Sequence, residues 1–255
     1  MTRTSTVRIE TSDGIAILTL DKPPVNAIDL ILLHDAETCL RRVEDDKDTR
    51  AVVITGSGAC FSAGLDLRTV PSYGPAEQRR MVETLNRSTA WLYGFRLPTV
   101  AAINGHAIAG GFIFAIACDY RIGTDSPCKL GVTESRVGIP FPFSTMEVLR
   151  SELAPAVVRR MTLVGHTVGP EEALAQGVLD DLQPADKVLE RAKDVAHQFA
   201  SMPAQAYFKI KRQLRGRSLD RMAEVIRTGS DPLLKEWITE EGRISSARHL
   251  NERAK

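Results

Sequence analysis

The sequence predicts an α/β fold with at least partly parallel sheets and a helical C-terminal region. Three observations carry that prediction. Apolar residues alternate on either side of Asp13-Gly14, short apolar runs are followed by glycine-rich turns and helical patterns, and helical patterns dominate after Met146. At roughly 150 residues per domain, 255 residues make one large domain or a domain with an appendage. Residues 1–200 read as the core and 201–255 as helices that pack on it or on neighbouring subunits. No Pro/Ser-rich linker divides them.

Taken in order, Val7, Ile9, Ile15, Ile17 and Leu20 predict a hairpin with an Asp-Gly turn, stopped by Pro23-Pro24. Leu30, Leu33, Cys39, Leu40 and Val43 recur at helical spacing. A buried strand follows at 51–55, then a glycine loop and an amphipathic helix over 77–93. A strand at 99–103, a glycine turn, a buried helix over 107–118 and a strand at 120–123 come next. Later helices are expected over 186–201, 203–214, 218–228 and 232–252.

Composition excludes several classes. Lys and Arg number 33 against 32 Asp and Glu, a net charge of +1, which disfavours nucleic acid or an anionic membrane as the main partner. Aromatic residues are 5%, too few for stacking platforms. The four cysteines form no CxxC pair and the five histidines are scattered, so no metal site is expected and the thiols read as reduced. The N-terminus lacks a secretory pattern, and the compartment expected is cytoplasmic, or the mitochondrial matrix for a processed eukaryotic form. The uncharged stretch 97–118 has an unbroken apolar part of only twelve residues, suited to a core helix rather than a membrane span.

Two loops can carry chemistry: Phe61-Ser62-Ala63-Gly64-Leu65-Asp66-Leu67, and Asn104-Gly105-His106-Ala107-Ile108-Ala109-Gly110-Gly111, which feeds the buried helix. Small residues at such turns either serve local geometry or expose backbone N–H groups, and two converging donors make an oxyanion hole. Glu134, among Val132, Val137 and Ile139, is the acid/base candidate; the alternative is a surface pair with Arg136. The basic run Lys209, Lys211, Arg212, Arg215 and Arg217 is either a phosphate site or a solvated helix face.

These loops, together with Pro23-Pro24-Val25-Asn26, Cys118-Asp119-Tyr120-Arg121-Ile122 and the segment 130–140, resemble the crotonase (enoyl-CoA hydratase/isomerase) superfamily nearly end to end, and most of all its mitochondrial-type 3,2-trans-enoyl-CoA isomerases. The resemblance implies a spiral of ββα turns, C-terminal helices that build trimers or paired trimers, and an acyl-CoA substrate without a further cofactor. It implies Glu134 as catalytic residue and the N–H groups of Leu65 and Gly110 as the oxyanion hole. Ser62, Ala63, Gly64, Asp66, Arg68, Ile113, Thr133 and Lys211 would contact substrate or CoA. Hydratases of the superfamily add a second glutamate where Ile113 stands, and dienoyl-CoA isomerases an aspartate where Pro142 stands. Double-bond isomerisation is therefore expected, with hydration, thioester hydrolysis or non-catalytic acyl-CoA or RNA binding as alternatives.

Overall fold

The computed structural model describes residues 2–253. Strands β1 (Thr2–Arg3), β2 (Val7–Ser12) and β3 (Ile15–Leu20) form an antiparallel meander. Asp13 and Gly14, with φ of 52° and 76°, supply the tight turn that the sequence signals. Helix α1 (Leu30–Asp45) starts at Asp29, whose carboxylate accepts the Leu32 N–H at 2.9 Å. Such a cap contributes about 1 kcal/mol.

Three ββα turns follow. The first is β4 (Ala51–Gly56), β5 (Cys60–Ser62) and α2 (Pro75–Tyr93). The second is β6 (Thr99–Ile103), β7 (His106–Ile108) and α3 (Gly110–Ala117). The third is β8 (Tyr120–Thr124), β9 (Leu130–Gly131) and the single-turn helix α4 (Glu134–Val137). Each turn gives its first strand to a large sheet and its second to a small one. Helices α5 (Phe143–Glu152) and α6 (Pro155–Val164), strand β10 (Thr167–Val168), helix α7 (Pro170–Ala175), strand β11 (Asp181–Gln183) and helices α8 (Val188–Ala200), α9 (Ala204–Thr228) and α10 (Glu240–Arg253) complete the chain. The large sheet runs β1-β2-β3-β4-β6-β8-β11 and the small one β10-β9-β7-β5.

Strand β4 is buried at every residue, as a central parallel strand must be. Its alternate side chains enter two cores. Val52 and Ile54 join Leu18, Ala101 and Phe112; Ala51 and Val53 join Ile15, Val100 and Val195 of α8. Leu219, Trp237 and Ile238 of the C-terminal region share the first of these cores.

Three expectations shift. The helix foreseen over 107–118 begins at Gly110, because 106–108 pairs in the small sheet. The helices foreseen over 203–214 and 218–228 are one, α9. A glycine inside a helix costs only about 1 kcal/mol relative to alanine, and Lys211, Arg215, Leu219 and Met222 pack on one face across Gly216. The stretch 232–252 splits into a 3₁₀ turn at Pro232–Leu234, a linking segment that carries Trp237, and α10. No helix among the described residues is long and apolar enough to cross a membrane.

Candidate active site

The site forms where the second strands of the turns hand over to their loops. Asn26, fully buried with φ of 51°, ties the first loop down. Its amide donates to the carbonyls of Cys60 (2.8 Å) and Phe61 (3.2 Å), and its own carbonyl accepts the Ser62 hydroxyl at 2.8 Å. Gly64, at φ 81°, meets the second loop so closely that a Cβ there would lie 2.5 Å from Cβ of Ala109 and 3.0 Å from N of Gly110. Only glycine tolerates both demands.

This contact brings the two expected donors together. The Gly64 carbonyl accepts the Ile28 N–H at 2.7 Å, and the Asp66 N–H donates to the Ile28 carbonyl at 2.8 Å. A trans peptide turns the intervening Leu65 N–H to the side away from Ile28. Gly110 opens α3, where N–H groups lack intrahelical acceptors. The preceding residue, Ala109, is held at φ 54° by its N–H bond to the Gly131 carbonyl at 2.9 Å. A non-glycine residue in that region stores about 1–3 kcal/mol of strain, and here the strain fixes the Ala109–Gly110 peptide. Among the described residues, neither the Leu65 nor the Gly110 N–H donates to a protein acceptor.

Glu134 stands at the start of α4, 7% exposed. One carboxylate oxygen accepts the Thr133 N–H at 2.8 Å. Burial pushes its carboxyl up to about 7 against the pull of the Thr133 and Glu134 backbone N–H groups. The surface pair with Arg136 is not formed; the Arg136 guanidinium donates to the Val164 carbonyl.

Two small cavities, about 20 and 30 Å³, meet at Leu65, Glu134 and Ile139. The first is also lined by Gly110, Ile113, Leu85, Phe141, Pro142 and Trp237. Ala63, Leu67, Thr133 and His249 help to line the second. Among the described residues around both, Glu134 is the only carboxylate. A lone base, two free N–H donors and the apolar wall given by Ile113, 1% exposed, suit proton abstraction beside a carbonyl.

The family description "Enoyl-CoA hydratase/isomerase" matches residues 10–255. The chain belongs to that family. It is 32% identical to enoyl-CoA delta isomerase 1, mitochondrial, of Mus musculus over 218 residues, 85% of this chain and 75% of that one. It is 31% identical to a probable enoyl-CoA hydratase of Bacillus subtilis over 193 residues, 75% of this chain and 74% of that one. The crystal structure of human mitochondrial delta3-delta2-enoyl-CoA isomerase superposes with a TM-score of 0.89 at 28% identity, covering 98% of each chain. This member of the enoyl-CoA hydratase/isomerase family accordingly has the crotonase fold, with ββα turns and a helical C-terminal region.

Two of the residues expected at the ligand are engaged inside the chain in this family member. Lys211 is 6% exposed, and its ammonium is bound to Asp119 at 2.8 Å and to the Leu97 carbonyl at 3.5 Å. Ser62 is fully buried; its hydroxyl holds Asn26 and accepts the Gly64 N–H at 3.2 Å, shaping the loop rather than facing a ligand. Asp66 is paired with Lys22 at 3.2 Å, and that ammonium, outweighing burial, holds its carboxyl below the usual range. Arg68 is exposed on the same loop. Asn26, Trp237 and His249 also belong to the site, and nothing in the sequence alone gives them a role there. Asn26 did lie in a motif that pointed to it, whereas Trp237 and His249 sit in a C-terminal stretch without one.

Proposed function

We propose that the protein converts 3-enoyl-CoA to 2-trans-enoyl-CoA, with Glu134 as the single acid/base and the N–H groups of Leu65 and Gly110 as the oxyanion hole. The observation that carries this reading is that Glu134 is the only carboxylate among the described residues lining the two cavities that meet at Leu65. The ionised carboxylate takes a proton from C2. Electrons of that C–H bond move into the thioester, and the dienolate oxygen is held by the two N–H groups. Glu134 then returns the proton to C4 while the C3–C4 double bond gives way to one between C2 and C3. A carboxyl near 7 is suited to both steps at neutral pH. Hydration needs a positioned water, and Ile113 offers that water no hydrogen bond. The reaction calls on no cofactor besides the CoA that the substrate carries.

Exposed Ile210 and Leu214 on α9, with Leu163 and Val164 at the end of α6, support the homotrimer or paired trimer expected for this reading.

The test compares 3-hexenoyl-CoA with crotonyl-CoA. Wild type should isomerise the first and hydrate the second slowly, and Glu134→Gln should lose about 10²–10⁴-fold in kcat. Fast hydration of crotonyl-CoA, release of free thiol, or full activity in Glu134→Gln overturns the proposal.

A further inference from the structure

Between the Glu134 cavity and an outer groove stands the side chain of Trp237. Trp237 lines that cavity, and it also lines a groove of about 550 Å³ that opens outside. Pro75, Gln78 and Arg79 of α2 form one side of the groove, and Leu233, Leu234 and Arg243 help to form the other. The indole is 2% exposed and held from two directions. Its N–H donates to the Pro140 carbonyl at 2.8 Å, and Pro140 is itself a lining residue of the cavity. The next residue, Ile238, donates its N–H to the buried Gln78 side chain at 3.1 Å. These bonds reach two separate elements, the 139–142 segment and α2, so the ring is fixed in place rather than leaning there by chance.

The volumes make its position consequential. A cavity of about 20 Å³ has room for about one water, whereas the groove beyond, about 550 Å³ and lined by Leu233 and Leu234 beside the charged Arg79, Glu236 and Arg243, is far larger. An acyl chain whose carbonyl sits at Leu65 and Gly110 must run along the apolar lining of Leu85, Phe141 and Trp237. Of those three, only Trp237 has the open groove on its other face.

We infer that Trp237 is the chain-length stop of the acyl site, separating the reaction cavity from the outer groove. The inference rests on the proposed use of that cavity for acyl-CoA, and it deepens that reading. Short and medium chains end against the indole; longer ones need it removed to continue into the groove.

The experiment measures dissociation constants of saturated acyl-CoAs, from butanoyl to hexadecanoyl, by calorimetry on the full chain. Saturated chains cannot undergo the isomerisation, so absence of turnover with 3-hexenoyl-CoA would defeat the proposed reaction without touching this measurement. In wild type, affinity should rise with length until the chain meets the indole and then stop rising. Continued tightening to hexadecanoyl-CoA overturns the inference. In Trp237→Leu, dodecanoyl-CoA should bind about tenfold tighter than to wild type, since each added buried methylene favours binding, with hexanoyl-CoA within about twofold. Trp237→Phe, which keeps an aromatic plug, should fall between the two. An unchanged dodecanoyl-to-hexanoyl ratio in both variants also overturns it. The wild-type length series decides the matter should either variant fail to fold.

Discussion

Two largely enclosed carboxylates, Asp119 and Glu134, are surrounded in opposite ways. Asp119, just before β8, accepts the Thr99 N–H at 2.9 Å, the Tyr207 hydroxyl at 3.0 Å, the Lys211 ammonium at 2.8 Å and the Arg215 guanidinium at 2.9 Å. Arg215 reaches further, to the carbonyls of Tyr93, Ala117 and Cys118, and lies 4.2 Å from the centre of the Tyr93 ring. Among the described residues Glu134 has no cation within bonding distance, and only backbone N–H groups, that of Thr133 at 2.8 Å, face its carboxylate. A charge wrapped in donors anchors α9 to the sheet. A charge given almost none costs the fold stability and stays reactive.

The sharpest way to break that contrast is Asp119→Asn. The change leaves Lys211 without its carboxylate and Arg215 with Glu152 alone, at 3.2 Å. Removing one partner of a buried ion pair typically costs about 3–5 kcal/mol, and urea unfolding should show a loss of that size. A loss under about 1 kcal/mol would mean that the cluster does little to hold α9.

Glu134→Gln tests the other side, and its sign is opposite. The folded carboxyl is raised to about 7 from the ordinary 4.5, so the folded state keeps the proton over a range where the unfolded chain has lost it. Stability supplied by the protonated form is complete below about 4.5 and is lost as pH rises through 7. Glutamine escapes that loss. At pH 8 the variant should be more stable than wild type by roughly 3 kcal/mol, and at pH 4 by almost nothing. Equal stability of the two proteins at pH 8 would show that the carboxylate is better solvated than its burial implies.

The same contrast explains what could be read from residues alone. The Asp13-Gly14 hairpin, the strand at 99–103 and the catalytic candidate Glu134 are legible because each depends on its near neighbours: a turn dipeptide, a short apolar run, a charge among apolar residues. The small sheet is not, since strands of two or three residues such as Leu130–Gly131 are too short to show alternation. Trp237 depends on Pro140, and Lys211 on Asp119, partners about ninety residues or more away. A basic run on a helix looks the same whether it faces phosphate, water or a buried aspartate.

Lys211 gives the smallest effect on catalysis and the most direct check of that last point. Its ammonium is enclosed, 5% exposed at the side chain, and burial pushes its pKa below the usual lysine range despite the pull of Asp119. A lysine reaching CoA would have to leave Asp119, exposing a buried carboxylate to gain a contact with a solvated phosphate, and the exchange is unfavourable. Lys211→Met keeps most of the side-chain volume and leaves Asp119 with Arg215. The KM for 3-hexenoyl-CoA should change by less than about twofold, while unfolding in urea should show a loss of about 1–3 kcal/mol from the deleted charge-assisted bonds. A tenfold rise in KM with stability unchanged would return Lys211 to the substrate and reduce the contrast between the two carboxylates to one of burial alone.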